Sequence, residues 1–164
     1  MAVTVDATTG GNGALSQNFQ HGTFRMFKTF DLAKLKASLN GGSAFGVGDV
    51  MKAFDIPANT LILGAHCKVH KAEGAACTID VGITGDDADG FLNDANLNST
   101  STSVFTGHTL GYGTDFMLGK LVTAASTVDI LFNTASSDVA IFTLSLICVD
   151  LSAHTYKAPP LDKN

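Results

Sequence analysis

From residue 23 to residue 150 the apolar positions of the chain recur mainly with a period of two. In residues 24–32, Phe24, Met26, Phe30 and Leu32 share one face. In residues 61–69 the odd set Leu61, Leu63, Ala65, Cys67 and Val69 alternates with Ile62, Gly64, His66 and Lys68. From Cys77 the set Cys77, Ile79, Val81 and Ile83 alternates with Thr78, Asp80 and Gly82. Such alternation marks strands with one buried face. Between the second and third runs lies Ala72-Glu73-Gly74-Ala75, which has turn composition, so the two are expected to form one hairpin with Cys67 opposite or diagonal to Cys77.

Further strands are expected at residues 104–106, 112–118, 126–132 and 139–150. The even face of the last (Ala140, Phe142, Leu144, Leu146, Cys148) is wholly apolar, and its odd face carries Val139, Ile141, Ile147 and Val149 around Thr143 and Ser145. A strand apolar on both faces lies at the centre of a packed sheet or against another subunit. A subunit contact is expected for part of it. One segment departs from the period: Leu32, Leu35 and Leu39 at i, i+3 and i+7 predict one or two helical turns, stopped by Asn40-Gly41-Gly42.

Many short strands separated by Gly, Asn and Asp turns predict an all-β chain, a jelly-roll-like antiparallel β-sandwich with an extended N-terminal arm. Three parts are expected: a flexible arm over residues 1–22, a sandwich domain over 23–151, and a tail over 152–164. The arm contains Ala7-Thr8-Thr9-Gly10-Gly11-Asn12-Gly13, which has little to bury and much backbone entropy to lose. Fully extended, it would reach roughly 70 Å at about 3.3 Å per residue.

Composition narrows the function classes. The chain has 164 residues, of which 45% are hydrophobic and only 15% charged, with 17 glycines. That is too apolar for disorder, and a surface of small neutral side chains can be packed against without desolvating many ions. The net charge is −5, and among 10 Lys and Arg there is one Arg, Arg25. Nucleic acid is excluded as an expected partner, because phosphate binding needs clustered cations. No signal-like start is visible, and the longest nearly apolar run, residues 139–149, falls well short of the roughly 20 residues that span a bilayer. Synthesis in a reducing host cytoplasm and no membrane partner are expected. Cys67, Cys77 and Cys148 have no CxxC spacing, so they are expected to be buried apolar residues rather than metal or redox groups.

Candidate chemistry is thin. His66 and His70 would point the same way in a strand but sit roughly 13 Å apart at about 3.3 Å per residue, too far to share one zinc. Together with Glu73 they miss the HxH pattern of metal-binding cupins. Asp87, Asp89 and Gly90 fit part of a calcium-loop frame, but Gly85 and Asn96 occupy its first and last ligand positions, where neither supplies a carboxylate. An Asp/Gly turn is expected over residues 85–90. Gly46-Val47-Gly48-Asp49 lacks the later glycine of a dinucleotide loop. No catalytic, cofactor-binding or metal-ligating residue is assigned, no cofactor is expected, and the chain is not expected to be an enzyme.

The phrases Gly48-Asp49-Val50-Met51 and Phe54-Asp55-Ile56-Pro57-Ala58-Asn59-Thr60-Leu61-Ile62, continued by residues 72–83 and 86–97, resemble a recurring pattern in virion structural proteins of tailed bacteriophages. The resemblance spans roughly residues 45–150 and is closest to capsid decoration (cement) proteins. It implies a jelly-roll homotrimer on the capsid surface that binds the major capsid protein and stabilises the shell by bridging its subunits. The alternatives are a head-fibre or tail-fibre component, or a sugar-binding β-sandwich module. Against the latter stands a thin supply of aromatic sugar platforms, with no Trp and only Tyr112 and Tyr156.

Overall fold

The computed structural model describes residues 4–6, 23–83, 85–98, 104–106 and 119–152. In chain order the elements are β1 (Thr4–Asp6), β2 (Thr23–Asp31), α1 (Leu32–Leu39), β3 (Val50–Ile56), β4 (Thr60–Lys71) and β5 (Thr78–Ile83). They continue with β6 (Asp87–Asn96), β7 (Val104–Thr106), β8 (Lys120–Val122), β9 (Ser126–Phe132) and β10 (Ile141–Asp150). Two sheets face each other. The first runs β1-β3-β9-β5-β6 and the second β2-β10-β4-β7, with β8 also paired to β4. All pairings are antiparallel except β1 with β3. Strands β2 to β5 alternate between the sheets, and β9 and β10 return to insert between β3 and β5 and between β2 and β4. That double winding is a jelly roll, as the alternating pattern predicts.

The same topology overturns the expected hairpin. β4 lies in the second sheet and β5 in the first, so the turn between them crosses the sandwich. Cys67 pairs with Leu144 on β10 and with Phe105 on β7, not with Cys77. Alternation tells which face of a strand is buried but not which strand is its neighbour, and inward residues meet equally well across a core. The expected turn at residues 85–90 is present but shorter: Gly85 and Asp86 form it, with Gly85 at φ +88°, and β6 already begins at Asp87. Within the expected arm, the described residues Thr4–Asp6 pair with Val50–Lys52. The strand expected at residues 112–118 lies outside the described residues, as do residues 153–164 of the expected tail.

The core follows the predicted faces except at the start of β4, where Thr60 and Ile62 are buried instead of the expected Leu61 and Leu63. A register shift opposite Ile147 and Cys148 moves the alternation by one residue before Ala65, Cys67 and Val69. Phe30 and Phe142 are register partners in adjacent strands and stack at 5.3 Å, while Phe45 stacks on Phe132 at 5.0 Å. The helix is also where the leucine spacing places it. Asp31 caps its start, accepting from the Lys34 N–H at 3.3 Å, and Leu32 and Leu35 are buried. At its end Gly42 adopts φ +86°, a conformation costly for residues with a Cβ, and its N–H closes on the Lys36 carbonyl at 2.8 Å.

Glu73, in the β4–β5 crossing, ties the two sheets together. Its buried carboxylate accepts from Ser137 Oγ at 2.8 Å and from the backbone N–H groups of Asp138 and Ala140, both at 2.8 Å. The Val139 N–H adds a longer bond. A carboxylate in such a nest of donors satisfies a loop of backbone that would otherwise be buried unpaired. Ser137 in turn pairs its backbone with Phe45. The sheets are bridged a second time by the ion pair of Lys120 on β8 with Asp86 in the β5–β6 turn.

Candidate functional surface

The residues singled out in the sequence do not converge. His66 and His70 both lie on the outer side of β4. His66 is opposite Ser145, and the His70 Nε2 is hydrogen-bonded to Thr143 Oγ1 at 2.8 Å. Glu73 is turned into the 137–140 loop and is unrelated to either imidazole. Asp87 and Asn96 stand at opposite ends of β6, so a calcium shell joining them is not assembled. Gly46 to Asp49 make a tight turn in which Asp49 Oδ2 accepts from the Gly46 N–H at 2.7 Å. The three cysteines are buried, and burial pushes the thiols of Cys67 and Cys148 up to about 12. Such thiols hold no thiolate at neutral pH and are poor nucleophiles. Among the described residues no group of three or more His, Cys, Asp or Glu is placed to hold a metal ion. A shallow depression of about 610 Å³ at one end of the first sheet is lined by Lys52, Asp55, Ile56, Pro57, Ser126 and Thr127.

What distinguishes the molecule is the contrast between its two outer sheet faces. The outer face of β2, β10 and β4 carries Arg25, Phe27 and Thr29 beside Thr143, Ser145 and Ile147, with His66 and Lys68 beyond them. Phe27 is 62% exposed and Ile147 48%. Leu121 on β8, opposite Leu61, and Leu151 just past β10 extend the apolar area. The Arg25 guanidinium lies 5.6 Å from the Phe27 ring centre and donates to Ser145 Oγ at 3.2 Å. Thr29 and Thr143 are hydrogen-bonded at 2.7 Å. Burial, with the charges of Arg25 and Lys68, lowers the His66 pKa below the ordinary imidazole value.

The outer face of the first sheet is acidic. Asp80 accepts from the Asp94 N–H at 2.7 Å and from Asn133 Nδ2, and Thr78 Oγ1 donates to Asp94 at 3.0 Å. Asp129 and Asp80 are buried on β9 and β5. Beside them Asp89 accepts from Asn93 Nδ2 at 2.8 Å. A hydrogen bond shared with Asp87, followed by burial and the Asp87 charge, raises the Asp89 pKa to about 6. Burial also raises the Asp80 pKa, with the Asp94 charge acting in the same direction. The β6 chain reaches this face because its register against β5 breaks, so that Val81 pairs with Leu92 and Ile83 with Asp87. The excess residues fold over Gly82, where a Cβ would collide with the Asp87 carbonyl oxygen and the Ala88 backbone.

Sequence reasoning missed this pairing of faces. Phe27 is out of phase with the inward set of β2, and that is the signal for the apolar patch. The acidic residues come from β5, β6 and β9, and only the fold unites them.

No protein-family model matches the chain, and no curated protein does. Chains of solved structures do, in the fold, among them three from phage capsids. A chain of the acidic stable capsid structure of Helicobacter pylori bacteriophage KHP30 superposes with a TM-score of 0.53 at 12% identity, covering 79% of this chain and 90% of that one. A chain from the capsid of Ralstonia phage GP4 gives 0.52 at 17% identity, covering 84% and 90%. One from the cyanophage Pam1 capsid asymmetric unit gives 0.55 at 14%, covering 83% and 90%. This β-sandwich is a fold found in phage capsids. At these identities the likeness is one of fold, and it extends over nearly the whole of each partner.

Proposed function

We propose that the chain is a structural protein of a bacteriophage virion, a decoration protein seated on the outer shell that bridges major capsid subunits and acts as a homotrimer. The observation that carries this reading is the shared fold with chains from three phage capsid structures, each covered to 90% of its length. The sequence phrases over residues 45–150 support it independently. A protein with this task works by buried interface area, and about 800 Å² per partner, repeated around a symmetry axis, suffices for stable association. A low charge content and an exposed apolar sheet face suit such contacts. Residues 1–22 act as an arm that contacts neighbouring shell or decoration subunits, joined to the 23–151 domain, and 152–164 form a tail. The chain performs no catalysis.

The test is to mix the purified protein with shells assembled from the major capsid protein alone, sediment them, and measure the bound protein and the heat resistance of the shells. Stoichiometric binding and a raised disruption temperature are expected. Protein that stays in the supernatant at saturating concentration rejects the reading. Deleting residues 1–22 tests the arm, and unchanged occupancy rejects its role.

A further inference from the structure

The first strand is tied to the rest of the molecule by more chain than its position requires. β1 makes the one parallel pairing among the described strands, with Thr4, Val5 and Asp6 beside Val50, Met51 and Lys52 at the edge of the first sheet. It runs with β3, towards the end of the sandwich where β3 gives way to β4. Thr23 starts β2 at that same end, because it pairs with Val149 and Val149 with Leu61 at the start of β4. Both strands are also on one flank: β6 packs against β4 and β7, which leaves β1 and β3 over β2 and β10. From Asp6 to Thr23 the chain therefore crosses one sheet spacing of about 10 Å and advances about 13 Å along β3, from Lys52 to Ile56.

About five or six extended residues cover that distance. The sequence places 16 there, residues 7–22, and Ala7-Thr8-Thr9-Gly10-Gly11-Asn12-Gly13 offers almost no apolar surface to hold this stretch to its own domain. Sixteen residues reach roughly 53 Å at about 3.3 Å each. A domain of this size has a radius of gyration of about 14 Å and is roughly 36 Å across. The tether is thus long enough to carry β1 to the β3 edge of an adjoining copy. Connections of this length within a compact domain are uncommon without a task.

We propose that β1 is exchanged between copies: Thr4–Asp6 of one copy pairs with Val50–Lys52 of the next, and three such exchanges close the homotrimer. Exchange keeps every ladder hydrogen bond, because the acceptor edge is identical. A parallel pair has no hairpin turn to bind it to its own β3. Only the effective concentration of a tethered strand favours the home edge, and a neighbour's edge held within the same reach competes on similar terms. Donor and acceptor share one flank, so three copies that turn this flank towards a common axis can each pass a strand to the next. The inference rests on the homotrimer part of the proposed function and deepens it by naming the strand and the edge through which copies meet.

The test uses the full chain in two single variants, Asp6→Cys and Lys52→Cys, one of them tagged so that each linked pair has its own mass. These positions are register partners on adjacent strands, about 4.8 Å apart and within disulfide reach. The two are mixed at about 100 µM, oxidised, and resolved on a denaturing gel without reductant. A mixed dimer linked between positions 6 and 52 is expected, together with a covalent trimer from the double variant Asp6→Cys/Lys52→Cys. The wild type, with Cys67, Cys77 and Cys148 buried, is expected to give neither. Absence of the mixed dimer, or a double variant that stays at monomer mass, overturns the proposal. Thermal melts check that each variant folds, and deletion of residues 1–6 gives a reading that needs no disulfide. Sedimentation of that deletion should show the apparent Kd of association raised about tenfold or more. A deletion that associates as the wild type does, or a wild type that is monomeric at about 100 µM, overturns it too. Exchange by a protein that ignores shells upholds this inference and rejects the virion reading, whereas an unexchanged protein that coats shells does the reverse.

Discussion

The two sheets of this sandwich obey the same alternation and differ in what they do with their outer sides. In the second sheet β10 runs between β2 and β4; its nine residue pairs with β2 continue without a register break, and its ladder with β4 shifts by single residues at Ile141/Phe142 and Ile147/Cys148. Its outer surface is a regular array of side chains, exposed and partly apolar. In the first sheet the β5–β6 ladder breaks twice, and the excess chain of β6 folds back over the outer face. The second sheet exposes a surface that other molecules can cover, whereas the first covers part of itself with an acidic hydrogen-bonded network. Single-residue bulges, as between β10 and β4, leave the outer face free, and the three-residue excess of β6 between Leu92 and Asp87 spends that face on local contacts.

Five substitutions break or sharpen this contrast, in decreasing order of effect, with Gly64→Ala placed beside Gly82→Ala as its counterpart. Phe142→Ala removes a fully buried ring at the centre of the second sheet, and denaturant unfolding should show a loss of about 3–5 kcal/mol. A loss below about 1 kcal/mol would mean that the Phe30–Phe142 stack is not in the core. Gly82→Ala and Gly64→Ala then compare the outer faces directly. At Gly82 the new methyl collides with backbone of β6, so a cost of about 3 kcal/mol is expected. At Gly64, opposite Ile147, it meets nothing within 4 Å, and the change should stay within about 0.5 kcal/mol. Equal effects at the two sites would remove the contrast.

Glu73→Gln keeps the shape but takes the charge out of the nest formed by residues 137–140, where one of the two oxygens becomes a donor facing N–H groups. Thermal and denaturant melts should show a loss of about 1.5–3 kcal/mol. The smallest effect concerns Asp89. Its folded pKa of about 6 lies above the ordinary value of 3.8, so between those limits the folded state binds more protons than the unfolded one. Its contribution to stability therefore falls as pH rises from about 4 to about 6. Asp89→Asn should flatten that part of the stability–pH curve and raise stability slightly at pH 7, as followed by melting temperature across the range. A curve that keeps the wild-type slope would show that the Asp87–Asp89 pair does not share its proton.

Much of the fold was legible because β2, β5, β9 and β10 keep one inward face for their whole length, β4 does so from Ala65 onward, and α1 carries its leucines at helical spacing. β3 was missed because its inward residues Ala53 and Phe54 are adjacent at a bulge, which breaks the alternation. β6 was missed because its start is Asp- and Gly-rich, a composition that depletes strands, and its buried residues Phe91 and Leu92 are again consecutive. The false hairpin between β4 and β5 has the same root, since inward faces are shared by neighbours in a sheet and by strands across a core. The apolar half of the candidate surface was half visible, in the second apolar face of β10 and in the misplaced Phe27. The acidic half was hidden, because Asp80, Asp94 and Asp129 come together only through strand pairing.

The most direct measurement is a density map of purified phage particles that carry this chain, at a resolution that traces side chains. The account predicts the jelly roll on the outside of the shell, contacting at least two neighbouring major capsid subunits. Particles whose outer surface lacks the chain altogether, or whose copies touch no capsid subunit, would contradict it.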